Sequence, residues 1–292
     1  MVFYSTSASF ASYNILNPFH AVKWKENAGL NEDGRLLSRD ALRASTAAQN
    51  EYAWNLYSNW DQRCPKISEN IQFADVVCLQ EVSRETIETL QNLTKGYKLA
   101  VVVYHSSRRV IQEFGNAILY QAEKASLKKS FEIRHVTDGS SRAAACGIFE
   151  ICGKVIEVVS LHLAGYNSQE ADRGKKQESK ERGFTELQTY VKGLESNVVK
   201  GTDGIIIGGD LNEDQSEAEF DLYRVGYLES FGYQFDGSFA ATEPSKNRRI
   251  DWLGYKPLTS REVFKLAPMG VERIQKQASD HLMTGTVVEW TA

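Results

Sequence analysis

The sequence predicts an α+β chain folded as a sandwich, with mostly antiparallel sheets packed together inside and helices outside. Three observations carry this. Short β-branched and aromatic runs recur along the chain, among them Val76–Leu79, Leu99–Tyr104, Ala143–Cys152 and Ile205–Ile207. Helix-favouring stretches lie between some of them without regular alternation, which argues against a doubly wound parallel sheet. Gly153 joins Ala143–Cys152 to Lys154–Leu163 so tightly that the two must pair antiparallel. No repeat, low-complexity tract or Pro/Ser/Gly-rich linker interrupts residues 1–292, so one domain is expected.

In order, Phe10–Leu16 reads as a first strand whose end carries the amide Asn14. Asn17–Gly34 is polar and turn-rich, and Leu36–Trp60, rich in Ala, Leu and Glu, favours one helix or two. Pro65 suits the first turn of a further helix with Ile67 and Ile71 on its inner face. Val76–Leu79 is a buried strand ending in Gln80-Glu81. Ser83 can cap the next helix, where Ile87, Leu90 and Leu93 recur at helical spacing until Gly96 stops it. Strands are expected at Leu99–Tyr104, Asn116–Tyr120 and Phe131–Val136. Residues 165–183 read as a charged loop or exposed helix start, and Phe184, Leu187, Val191 and Leu194 as a helical apolar face. Ile205-Ile-Ile-Gly-Gly-Asp210 follows, an apolar run closed by glycines and an acid, where backbone can approach a ligand closely. Ala218–Tyr227 looks helical and Phe231–Ala241 irregular. Arg249–Tyr255, Glu262–Ala267 and Thr284–Trp290 complete the strands.

Hydrophobic residues at 42% and charged residues at 25% are ordinary for a soluble globular chain. A net charge of −4 supplies no general attraction for nucleic acid or anionic membrane, so a polyanionic substrate must be attracted locally. The four cysteines show no C-x-x-C spacing, and Cys78 and Cys146 sit in apolar runs as buried free thiols do. There is no basic-then-apolar leader and no run long enough to span a bilayer, so an intracellular, soluble protein without stable membrane insertion is expected. Oligomeric state is not encoded legibly.

Five strand ends carry similar chemistry: Asn14, Gln80-Glu81, His162, Asp210 with Asn212, and Ser279-Asp280-His281. Asp251 lies inside a sixth apolar stretch, Ile250–Leu253. Burying unpaired acids costs several kcal/mol unless they meet each other or a cation. An oxygen-rich set with few histidines and no clustered cysteines suits Mg2+ or Mn2+ rather than zinc. Taken singly, each residue has a plainer reading. Glu81 can begin the following helix, Asp251 can pair with Arg248 or Arg249, and His162 can be a satisfied strand histidine. His20, His105 and His135 read as surface residues.

The ordered set Ser12-Tyr-Asn-Ile-Leu16, Leu79-Gln-Glu-Val82, Ser160-Leu-His-Leu163, Gly209-Asp-Leu-Asn212, Arg249-Ile-Asp251 and Ser279-Asp-His281 resembles the endonuclease/exonuclease/phosphatase superfamily of metal-dependent phosphoesterases. The resemblance implies a four-layered α/β/β/α sandwich and an Mg2+- or Mn2+-dependent hydrolase acting on a phosphoester. It implies Glu81 as principal metal ligand, Asn14 beside metal or phosphate, and Asp280 near the metal. Asp210 would prepare the attacking water with Asn212 beside it, and His281, oriented by Asp251, would stabilise phosphoryl oxygens. His162 would meet phosphate or leaving group. Asn116 resembles a strand-starting asparagine near the phosphate, and Arg142 could contact a phosphate in bidentate fashion; a turn or surface role fits either equally. Leu16 stands where some nucleases of the family carry a further acid, which leaves fewer carboxylates near the metal.

Arg249-Ile-Asp-Trp252 lacks the Trp-Cys-Asp-Arg-type motif of the inositol-polyphosphate 5-phosphatase branch. No signal or disulfide framework of the secreted branches is visible, and Leu211 replaces the threonine of the tyrosyl-DNA phosphodiesterase branch. Tyr13–Leu16, Gly209–Asn212 and the long insertion 17–75 look most like the deadenylase-like branch, which cleaves RNA 3′ ends or related phosphodiesters. Single-stranded nucleic acid is therefore the expected partner. Trp24, Tyr52, Trp54, Tyr57 and Trp60 in the insertion suit stacking on bases or packing onto the core. A phospholipid headgroup, a small nucleotide, or a non-catalytic binding role for the same fold are the alternatives.

Overall fold

The computed structural model describes residues 5–16, 59–107, 114–137, 140–165, 173–213, 223–236, 241–242, 248–259, 263–269, 278–279 and 281–291. The expected 17–34 loop, the helical reading of 36–60 apart from its last residues, the insertion's other aromatics, His20 and Asp280 lie outside them.

Two sheets stack face to face. In the first, β1 (Ser5–Asn14) runs parallel to β2 (Val76–Val82) and antiparallel to β13 (Thr284–Thr291). Beyond β2 lie β5 (Gly115–Gln121) and β3 (Tyr97–Tyr104); beyond β13 lies β12 (Val263–Pro268). In the second sheet, β8 (Lys154–His162) and β9 (Gly204–Asp210) are the parallel pair. On the β9 side follow β11 (Asp251–Pro257) and β10 (Gln234–Phe235). On the β8 side, β7 (Ser140–Ile151) pairs with β6 (Ala125–Thr137) and the short β4 (Ser106–Ser107). Every pairing outside the two parallel pairs is antiparallel, as the hairpin at Gly153 led us to expect. That hairpin turns on consecutive left-handed residues, Cys152 (φ 52°) and Gly153 (φ 75°), as two-residue hairpins prefer.

The period-2 pleat sorts side chains into three apolar layers. Between the sheets lie Phe10, Val76, Cys78, Ile118, Phe149, Val158, Ile206, Leu253 and Trp290. On the other face of the first sheet, Ala11, Tyr13, Val77 and Leu79 pack against Ile67 and Ile71 of α1 (Trp60–Ile71) and Ile87 and Leu90 of α2 (Arg84–Leu93). On the other face of the second, Val159, Leu161, Ile205 and Ile207 meet Leu187, Val191 and Leu194 of α3 (Arg173–Asn197) and Val225 and Leu228 of α4 (Arg224–Ser230). Helix, sheet, sheet, helix is the four-layered sandwich. Both sheets are therefore covered on both faces, and β2 and β9 are buried at every residue. Among the described residues no helix is long and apolar enough to cross a membrane.

Local expectations were met unevenly. Ser83 caps α2 with a reciprocal capping box to Thr86, but Leu93 is 42% exposed. Steps of three residues drift about 60° each on an α-helix, so the third position has rotated off the inner face. Pro65 lies inside α1, not in its first turn. The start is set instead by Asn59, whose side chain accepts from the Gln62 amide at 3.1 Å. The second reading of residues 165–183 holds from Arg173 onward, since α3 begins there. The expected 218–227 helix is α4, which begins at Arg224 and runs on to Ser230 because Val225 and Leu228 are its buried pair. Within Phe231–Ala241, Gln234–Phe235 pairs with β11 rather than staying irregular.

Two glycines permit close approach near the strand ends. A Cβ at Gly183 would meet the Arg224 guanidinium and the Ala164 carbonyl oxygen at 2.7 Å. A Cβ on Gly209 would stand only 2.1 Å from the Leu161 carbonyl oxygen, which is backbone and cannot swing aside. Gly209→Ala is expected to destabilise by more than about 2 kcal/mol, measured by urea denaturation; unchanged stability would contradict this packing.

Candidate active site

Both parallel pairs end at the same edge of the sandwich. Asn14 is in register with Gln80 in the first sheet, and Asp210 with His162 and Asp251 in the second. A buried polar stitch holds the sheets together just beneath: Ser12 Oγ donates to Gln80 Oε1 (3.2 Å), Gln80 Nε2 to Ser160 Oγ (3.1 Å), and Ser160 Oγ to the Leu79 carbonyl (3.0 Å). Above it, Asn14 Nδ2 donates to Glu81 Oε1 at 3.2 Å and to Asp210 Oδ2 at 3.1 Å. One amide thus ties acids from opposite sheets.

Glu81 is aimed by a β-bulge, since pairing with β5 shifts between Gln80 and Val82. It adopts φ 60°, Leu16 and Asn212 each φ 53°, a left-handed region costly for residues other than glycine. Of the positive-φ non-glycine residues among those described, only Cys152 lies away from this edge. Such strain persists where surrounding contacts enforce it. The contacts here are specific. Arg63 donates to the Ile15 and Leu16 carbonyls at 2.6 and 2.7 Å. Asn212 gives its backbone N–H to Asp210 Oδ1 (2.7 Å) and its side-chain amide to the Leu163 carbonyl (3.0 Å).

His281 Nδ1 lies 2.8 Å from Asp251 Oδ2, so the ring donates there and turns Nε2 toward Asp210 Oδ2, 4.0 Å away. Asp251 therefore pairs with His281, whereas Arg249 faces Asp236 at 3.5 Å and stacks over Trp252. His162 Nε2 stands 3.6 Å from the same Asp210 oxygen. Burial pushes the Asp210 carboxyl up to about 7; the negative charge of Asp251 adds to this, and His281 and the Asn212 and Asn14 hydrogen bonds oppose it.

Asp210, Asp251 and His281 offer ligand atoms within 4.8 Å of one another. The His281–Asp251 contact is a hydrogen bond, however, so a cation there would have to displace a proton. Hard oxygen donors dominate the edge, and Asp251 Oδ1 is buried with no hydrogen-bond partner among the described residues. The donor set fits a divalent cation of the Mg2+ or Mn2+ kind.

Asn116 and Arg142 are also brought to this edge. Asn116 Nδ2 donates to the Ala143 carbonyl at 2.7 Å. Arg142 donates to Glu186 at 2.9 Å and to the His162 carbonyl, so a phosphate contact would come from its remaining donors. Several supporting residues gave no sequence signal. Glu186 also accepts from the Ala164 amide (3.0 Å) and Tyr190 (2.8 Å). Thr242 Oγ1 accepts the Ile250 and Asp251 amides at 3.1 and 3.0 Å; Ser279, which the sequence did mark, donates its Oγ–H to the Asn14 carbonyl at 2.7 Å. Buried Arg224 ties the Leu211 and Ala164 carbonyls together. His105 is a correction: expected at the surface, it is 7% exposed and accepts the Ala143 N–H at Nδ1.

Solved structures of similar fold include an endonuclease/exonuclease/phosphatase family protein from Bacteroides thetaiotaomicron, at 18% identity and TM-score 0.58, covering 99% of this chain and 98% of that one. A mannosyl-6-phosphatase from the same organism shows 18% identity and TM-score 0.57, covering 97% and 99%. D. rerio TDP2 complexed with single strand DNA product shows 13% identity and TM-score 0.58, covering 98% and 100%. Comparison with curated proteins gives no match. The profile of the Endonuclease/Exonuclease/phosphatase family spans residues 12–281, and the chain belongs to that family.

Proposed function

We propose that this chain is an Mg2+- or Mn2+-dependent phosphodiesterase that hydrolyses RNA or another single-stranded nucleic acid by attack of water. The observation that carries the reading is Asp210 Oδ2, a buried carboxylate oxygen 3.1 Å from Asn14 Nδ2, 3.6 Å from His162 Nε2 and 4.0 Å from His281 Nε2. A base and N–H groups thus converge on one point, as metal-assisted attack of water on a phosphoryl group requires. Asp210 takes the proton of the attacking water, with a carboxyl already shifted toward neutral pH. Asn212 and Asn14 hold it in place. His281, aligned by Asp251, gives Nε2–H to a phosphoryl oxygen, and His162 faces phosphate or leaving group from the other side. A divalent ion held by Glu81 with Asn14, to which the sequence adds Asp280, would neutralise charge on the phosphate. Asn116 and Arg142 complete the substrate-phosphate set.

Two observations favour a smaller phosphoester as the second reading: the net charge of −4, and a fold neighbour that is a mannosyl-6-phosphatase. The test is turnover of single-stranded RNA, single-stranded and duplex DNA, phosphoinositides and sugar phosphates with Mg2+, Mn2+ or EDTA, with Glu81→Ala as control. We expect metal-dependent shortening of RNA, abolished by EDTA and lowered at least about 100-fold in Glu81→Ala. Cleavage of sugar phosphates or lipid headgroups alone would retain the mechanism and replace the substrate. No turnover of any of these would count against the enzyme reading.

A further inference from the structure

His105 and Asn116 share the backbone of one residue, Ala143. Ser106 pairs with Ser141 and Ala145 with Ser160, so Ala143 faces a gap on the β7 edge between β4 and β8. A strand residue presents N–H and C=O to the same side. The two side chains fill that gap: Ala143 N–H donates to His105 Nδ1 at 3.1 Å, and the Ala143 carbonyl accepts from Asn116 Nδ2 at 2.7 Å. These bonds fix what remains. With Nδ1 accepting, the neutral ring carries its proton on Nε2, a donor; with one Nδ2–H given to Ala143, Asn116 keeps Oδ1, an acceptor, and a second N–H for the phosphate. Both atoms are buried, and neither has a hydrogen-bond partner among the described residues. Burial, and then the positive charges of Arg142, His162 and Arg134, hold the ring neutral against the pull of Glu81.

An unmatched donor beside an unmatched acceptor is complementary to one chemical group, an O–H that accepts from the first and donates to the second. We propose that His105 Nε2–H and Asn116 Oδ1 form a niche for a substrate hydroxyl vicinal to the phosphate, such as the 2′-hydroxyl beside a 3′-linked phosphate. The niche adjoins the strand-end edge that carries Glu81, one residue from the register partner of Asn116. It therefore selects ribose over deoxyribose. This rests on the phosphoesterase reading and gives it a substrate class. A single enclosed water would satisfy the same two atoms, and the test separates the two sources.

The first arm compares kcat/KM on RNA and DNA of the same sequence. Wild type should prefer RNA at least about tenfold, the effect of one buried hydrogen-bonded hydroxyl. His105→Asn retains an acceptor for the Ala143 N–H and lacks the Nε2 donor, so the preference should fall toward one. His105→Gln, whose amide reaches further, should restore part of it. The second arm needs neither turnover nor a variant. With 15N-histidine-labelled protein, the His105 ring signals should move on adding adenosine 3′-monophosphate and stay put with its 2′-deoxy counterpart, while His281 responds to both. An RNA/DNA ratio unchanged in His105→Asn, or equal responses to the two nucleotides, means the niche holds only water and overturns the inference. If wild type cleaves no nucleic acid, the proposed function fails by itself, and the nucleotide titration still decides the niche.

Discussion

Asp210→Asn is expected to lower kcat/KM by about 10³-fold, the contribution of a positioned general base. Asparagine keeps the shape but cannot take a proton from water. It also cannot accept both bonds that Asp210 now receives, from the Asn212 amide and from Asn14 Nδ2. Losing one of them costs about 1 kcal/mol. Against this, a carboxyl raised to about 7 by burial is a charge the fold holds at a cost above neutral pH. The amide removes that cost, so the melting temperature at pH 8 should stay level or rise while activity collapses. Activity loss with an intact fold separates a catalytic role from a structural one. An Asp210→Asn protein with wild-type turnover would sink the proposed mechanism.

The second large effect lies far from the strand ends. Glu157 is fully buried on β8, between Ile148 and Ile205 in register, and neither carboxylate oxygen has a hydrogen-bond partner among the described residues. Burial pushes its carboxyl from 4.5 up to about 7, with Lys129 opposing. A raised acid is held more readily protonated by the folded state than by the unfolded chain. Its neutral form is tolerated below 4.5, and stability falls as pH rises from there through 7. The penalty above pH 7 is about 3 kcal/mol. Glu157→Met, similar in volume and apolar like its neighbours Val159 and Ile205, should remove it. Urea denaturation at pH 5 and pH 8 should show a stabilisation of about 3 kcal/mol at pH 8 and clearly less at pH 5. Equal effects at the two pH values would mean that Glu157 does not titrate in this window.

Much of the site was legible because its signals are local. An apolar run that stops at an amide, an acid or a histidine is visible within a few residues. Asn14, Glu81, His162, Asp210 and His281 were found that way and Asp251 as an acid inside an apolar stretch, and all lie at one edge. The Ser83 cap and the Gly153 hairpin were equally local. Pro65 misled because its fixed φ suits a first turn, yet a better cap upstream, Asn59, took the start.

The sequence by itself determined the fold class, the order of the strands and which polar groups end them, since each is written in short-range pattern. Only the tertiary structure decided how those ends meet: Asn14 reaches Asp210 across 196 residues of chain, and no local pattern encodes that contact. The same holds for Arg63, Glu186 and Arg224, whose partners are backbone groups of distant loops. It also decided which strand-borne polar residues face solvent. Glu157, on a central strand packed on both faces, and His105, expected at the surface, are both buried. In a four-layered sandwich a polar side chain on an inner strand must find a partner, change its charge, or wait for a ligand.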